Sequence, residues 1–165
     1  MGAADKTRWL NAEQQRSWRA LVMGQQLFFD RLDDDLQREF GISLTEYEVL
    51  VRLSEREGRQ MRMAQLADAM AHSRSRVTHT VKRLEEAGLV ARCKAVDDGR
   101  GIVCQMTDQG YAMLETMAPT HVGSVRDNLV DLITDEEMET LGRVWDKVAD
   151  NLVAGHPEAE MRPSP

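Results

Sequence analysis

The stretch HSRSRVTHTVKRLEEAGLV, residues 72 to 90, limits the possible folds more than any other part of this chain. Val77, Val81 and Leu84 are spaced by four and three, so a helix here has one apolar face, and Gly88 stops it. Ser73 stands where an N-cap hydroxyl belongs. With about 100° of turn per residue, the opposite face carries Ser75, His79 and Lys82, flanked by Arg76 and Arg83. Just upstream, Met63, Leu66, Ala67 and Met70 mark a short helix, and AHS leaves room only for a tight turn between the two. Two helices joined in this way form a helix-turn-helix outline. LVARCKAV and GIVCQM then flank DDG, the pattern of a two-stranded hairpin with an Asp-Gly turn. Helix, turn, helix and hairpin in that order make a winged helix.

The flanks are helical. Trp18, Leu21, Gln25, Phe28, Leu32 and Leu36 recur at three and four, which predicts a long amphipathic helix from about 12 to 39 ended by Gly41. SLTE at 43 to 46 matches a capping box for a second helix near 45 to 57, with Gly58 as its stop. Beyond the hairpin, Thr107 caps a helix bearing Tyr111, Leu114, Ala118, Val122, Val125, Leu129 and Leu132, interrupted by Pro119. Thr134 with Glu137 opens a last helix, in which Met138, Leu141, Trp145, Val148 and Leu152 keep a near-heptad register. These stripes offer more apolar face than a small winged helix covers, which predicts a helical dimerisation layer. The expected organisation is a single domain over 1–165. Residues 12–40 and 108–153 form the dimerisation region, 45–107 the winged helix-turn-helix, and 154–165 a disordered tail. The fold class is mainly α with a small β-hairpin wing.

Charge is unevenly spread. The chain carries net −7, yet residues 59 to 100 hold nine Lys/Arg against five Asp/Glu, net +4, which leaves −11 for the rest. A basic middle in an acidic frame suits a phosphate-binding lobe on an acidic scaffold. The opening MGAADKTRWLNAEQQ has no apolar h-region, and no 18-residue apolar run follows, so neither a signal peptide nor a membrane span is expected and the cytoplasm is the default. Gly2 does not complete a myristoylation motif, because Lys6 replaces the required Ser or Thr. There is no Gly-rich phosphate loop, nucleophile elbow or zinc signature, so no enzyme, cofactor, metal or catalytic residue is expected. Asp33, Asp34 and Asp35 read as a solvated polar run, Met61, Met63 and Met70 as core packing, and His72, His121 and His156 as structural or surface residues.

The run LADAMAHSRSRVTHTVKRLEEAGLVAR, the wing sequence DDGRG and the following MTDQG resemble the multiple antibiotic resistance regulator (MarR) family over roughly residues 12 to 152. The most specific element is Asp98-Gly99-Arg100 followed by Met106, Thr107 and Gly110. The resemblance implies a homodimeric winged helix-turn-helix transcriptional regulator, commonly a repressor. Such proteins bind near-palindromic double-stranded DNA and respond to small aromatic or lipophilic ligands or to oxidants. It implies Arg100 as the minor-groove residue of the wing tip and Asp98 as the residue that orients the wing. Helix chemistry supports Ser73, Arg74 and Ser75 at phosphates or the first base edges. It places Arg76, His79 and Lys82 in the groove, and Thr78 and Arg83 at the DNA backbone. Many relatives carry Arg where this chain has His79, which leaves the base read there open.

Two other functions compete. If the hairpin centres between Asp98 and Gly99, Cys93 and Cys104 fall opposite one another on one face, which suggests a redox-responsive wing. Against it, directly paired strand positions strain a disulfide, and the redox branch of the family uses a first-helix cysteine that this chain lacks. The other competitor is a winged helix that serves protein interaction without DNA. The basic face and Arg100 argue against that one.

Overall fold

The computed structural model describes residues 7–95 and 101–153. Its elements run α1 (Ala12–Phe40), α2 (Leu44–Ser54), β1 (Gln60–Arg62), α3 (Met63–Ala69), α4 (Arg74–Glu86), β2 (Val90–Lys94), β3 (Ile102–Met106), α5 (Asp108–Asn128) and α6 (Asp135–Val153). Asp98, Arg100, the hairpin turn and the tail from 154 lie outside the described residues.

Local chemistry sets most boundaries. Asn11 and Gln14 form a reciprocal capping box that starts α1, and Gly41, at φ 69°, ends it by donating to the Gln37 carbonyl at 3.0 Å. Ser43 and Glu46 form the box that opens α2. This helix ends at Ser54, earlier than the sequence pattern suggested, because the chain turns through a 3₁₀ segment at Glu57–Arg59 around the left-handed Gly58. α5 runs unbroken through Pro119. It stops at Asn128, whose amide donates to the Ser124 carbonyl at 2.8 Å, so Leu129 and Leu132 fall in or beside a 3₁₀ turn and not on the helix stripe.

The sheet corrects the sequence pattern twice. It has three strands in the order β1-β3-β2, and β1 is only three residues long, too short for an alternation to show. The hairpin register is also one residue away from the expected one. Cys93 pairs with Val103 and Cys104 pairs with Arg92. A one-residue slip changes the face of every side chain, so Cys104 is buried while Cys93 is exposed, and the two thiols do not face each other. Burial pushes the Cys104 thiol up to about 12, which at pH 8 leaves about one thiol in ten thousand ionised. Iodoacetamide should therefore label Cys93 in the native protein and Cys104 only after unfolding. Two thiols labelled at equal rates would contradict this register.

The core gathers Leu36, Leu50, Leu53, Leu66, Val77, Val81, Leu84, Leu89, Cys104 and Met117, all almost fully buried. Met61 joins it, with Met63 and Met70 packed at its edge. Only the lower end of α1 belongs to it: Leu32 and Leu36 are buried, whereas Trp18 is 57% exposed.

Of the three carboxylates expected in solvent, only Asp34 is exposed. Asp33 accepts from the Leu44 N–H at 2.7 Å and so joins α1 to the start of α2. Asp35 is buried between Ser124 of α5, at 2.7 Å, and Arg31 and Arg38 of its own helix, at 2.8 and 2.6 Å. The Ser124 hydroxyl, and then the two guanidinium groups, hold its carboxyl down at about 2. A charge so satisfied ties α1 to α5 in a defined register. A second junction stacks His121 of α5 against Tyr47 of α2, with ring centres 4.5 Å apart. Burial lowers the His121 pKa and raises that of Tyr47, which keeps both rings neutral.

Candidate nucleic-acid interface

α3 and α4 meet through a turn that the sequence makes tight. Ala71 adopts φ 50°, its N–H donates to Asp68 and that of His72 donates to Ala67. Ser73 then caps α4 by accepting from the Arg76 N–H at 3.3 Å. Val77, Thr80, Val81 and Leu84 are the buried face of α4. Ser73, Arg74, Ser75, Arg76, Thr78, His79, Lys82 and Arg83 are all exposed. The structure thus brings every sequence-predicted residue of this helix to one solvent-facing side, with the N-terminal N–H groups at one end.

These residues are not equivalent. The Arg83 Nε lies 3.0 Å from the buried Glu46, the same carboxylate that caps α2, so Arg83 braces α4 against α2. Lys82 pairs loosely with Glu86 at 3.7 Å, an exposed contact easily exchanged for another anion. The Thr78 hydroxyl donates to the Arg74 carbonyl at 2.8 Å. Glu48 of α2 has its pKa raised by burial and drawn back by His72, Arg52 and Arg76.

The hairpin is fixed to α4 by a second ion pair. Arg92 of β2 places Nη2 2.6 Å and Nε 3.0 Å from one Glu85 oxygen, and its backbone N–H donates to the other at 3.0 Å. The Arg92 side chain and backbone hold the Glu85 carboxyl below its usual range. This clamp sets the angle between α4 and the wing. Between them lies a cleft of about 320 Å³, with Arg62, Arg74, Thr78, Arg92 and Gly101 among its walls. Arg62 and Arg92 did not stand out in the sequence, since their position depends on β1 and on the hairpin register. Among the described residues no group of three His, Cys, Asp or Glu is arranged to hold a metal ion, and no helix is long and apolar enough to cross a membrane.

A basic helix held outward beside a three-stranded wing defines a winged helix-turn-helix DNA-binding transcriptional regulator. Residues 40–101 match the MarR family model. The chain is 39% identical to Sco3205, a MarR family transcriptional regulator from Streptomyces coelicolor solved in complex with DNA. That likeness covers 95% of this chain and 97% of that one, with a TM-score of 0.88. AbsC, another MarR family regulator from Streptomyces coelicolor, is 38% identical with a TM-score of 0.85, over 90% of this chain and 99% of that one. The HTH-type transcriptional regulator PecS of Dickeya dadantii is 28% identical over 128 residues, 77% of this chain and 76% of its own length. The chain belongs to the MarR family.

Proposed function

We propose that the protein is a cytoplasmic homodimer that binds a near-palindromic operator, acts as a repressor, and is released by a small aromatic or lipophilic ligand. Ser73, Arg74 and Ser75 meet phosphates or the outer base edges, and Arg76, His79 and Lys82 read bases. Thr78 and Arg83 contact the backbone, Arg100 enters the minor groove and Asp98 orients it. The observation that carries this reading is the outward donor row of α4 set against its buried Val77, Val81 and Leu84. The complex of Sco3205 with DNA supports it by similarity.

The reading of residues 12–40 and 108–153 as a dimerisation region is supported by surface that one chain leaves uncovered. Trp18, Met23 and Leu27 on α1 are more than half exposed, and Met138, Val144, Trp145 and Leu152 on α6 are at least 39% exposed. Patches of this extent are buried by association in soluble proteins. An apolar cavity of about 620 Å³ opens beside them, lined by Leu21, Phe28, Leu129, Leu141 and Trp145 among others. Its size and lining suit the proposed effector class.

Operator binding is tested by titrating a duplex from the promoter region of the protein's own gene at increasing salt. The log–log slope should be steep, about −0.9 for each phosphate contacted. A flat slope would favour a protein-interaction module.

A further inference from the structure

The lobe that carries α4 joins the helical layer at two points of the chain: residues 41–43 lead from α1 into α2, and Thr107 leads from β3 into α5. Within the lobe, α4 is clamped to β2 by Arg92 and Glu85, and β1 and β2 both pair with β3. Helix and sheet therefore turn as one piece. At the α5 joint, the Thr107 hydroxyl lies 2.8 and 3.1 Å from the Gly88 and Leu89 carbonyl oxygens. A joint held around one residue is a pivot, and a second contact away from it is needed to set the angle.

Arg59 supplies that contact. It stands immediately before β1, next to the pair that Gln60 makes with Gln105 of β3. Its guanidinium carbon lies 3.6 Å from the centre of the Tyr111 ring, in the first turn of α5. Tyr111 in turn packs against the core. The guanidinium also comes within 3.6 Å of Asp108, but that carboxylate is fully exposed, and such a pair is weak and screened by salt. The cation on the ring is the stronger hold. The backbone is strained to reach it: Arg59 adopts φ 52°, directly after Gly58 at φ 67°. Residues other than glycine rarely occupy that region, and such strain persists only where the surroundings hold it. The Arg59 N–H donates to the Arg56 carbonyl at 2.9 Å, which completes the turn.

We propose that Arg59 is a positioning residue: set on Tyr111, it fixes the angle of the winged helix on α5 and so the separation of operator half-sites that the two α4 helices of a dimer accept. This rests on the dimeric DNA-binding function proposed above. Each base pair added between half-sites moves them about 3.4 Å apart and about 35° around the duplex, so a loose joint tolerates spacings that a fixed one rejects. A cation–π contact shifts an equilibrium about twofold when exposed and about thirtyfold when desolvated, and the Arg59 side chain, 37% exposed, falls between.

The test selects an inverted repeat from a random duplex library with the wild type. Affinity is then measured for that repeat with its half-site centres as selected and moved by one base pair either way. The wild type should prefer the selected spacing by about tenfold or more. Arg59→Gly and Tyr111→Leu should each lower that preference about fivefold while leaving the bases preferred within a half-site unchanged. Tyr111→Phe, which keeps the ring, and Asp108→Asn should behave as the wild type. Arg59→Gly takes up a left-handed φ without strain, so it decides the matter if Tyr111→Leu fails to fold. The latch is overturned if Arg59→Gly keeps the full spacing preference, or if it weakens every spacing in the same proportion, as a general loss of stability would. A wild type that selects a repeat but binds all spacings equally overturns it too. A wild type that selects no repeat would instead defeat the underlying function, and is distinguished by needing no variant.

Discussion

Replacing Gly110 with alanine should destabilise the protein by about 3 kcal/mol or more, at the upper end of what an inserted methyl group does to a packed interior. Gly110 lies in the first turn of α5, where a Cβ would collide with the Leu89 carbonyl oxygen and press on Met106 at 3.0 Å. That carbonyl has little freedom to retreat. It accepts from both the N–H and the hydroxyl of Thr107, at 3.1 Å each, while the same hydroxyl caps Gly110. The helix start, the end of α4 and the β2 strand are thus joined at one point. Chemical denaturation should show the loss, and Gly142→Ala, where a Cβ meets nothing within 4 Å, provides the control. That change should be neutral or stabilising by up to about 1 kcal/mol, as expected of Gly in a helix. Equal midpoints for the two variants would mean that α5 does not pack on Leu89 as described.

The second large effect is expected at Trp145→Glu. Trp145 is 39% exposed and lines the apolar cavity together with Leu21, Phe28 and Leu141, in the middle of the α6 stripe. A carboxylate there would be buried unpaired by any partner that covers the stripe, at a cost of several kcal/mol. If the proposed dimer forms through α6, sedimentation should show a monomer at concentrations where the wild type associates. Operator affinity should fall by about 100-fold or more, since two linked half-site contacts become independent. A variant that stays dimeric and binds normally would remove α6 from the interface. Far-UV circular dichroism should remain helical, because the core around Leu50, Leu84 and Met117 lies elsewhere.

Much of this was legible in the sequence because it is local. The Ser43–Glu46 box, the Gly41 stop and the Val77, Val81, Leu84 stripe are features of a few consecutive residues, and they appear as expected. What the sequence concealed was set by distant partners. β1 exists because Met61 pairs with Cys104, forty-odd residues away. The hairpin register follows from that sheet and from the Arg92–Glu85 clamp, and it moved Cys104 into the core and Cys93 out of it. Asp35 resembled any other surface carboxylate until Ser124, on another helix, was placed against it. In the candidate interface the exposed donors of α4 were readable from helical spacing. The bracing of Arg83 by Glu46 and the cleft that Arg62 lines were not, since each needs two elements brought together by the fold.

The proposed function has α4 read DNA bases through Arg76 and Lys82. It is tested most directly by selecting binding sites from a random duplex library with the wild type and with Arg76→Ala and Lys82→Ala. The wild type should select an inverted repeat with half-site centres one duplex turn apart, about 34 Å. Each variant should lose preference at a particular symmetric pair of positions, at a cost of about 1–3 kcal/mol on the wild-type site. Selection of the same repeat with the same affinity by all three proteins would contradict the placement of α4 in the groove.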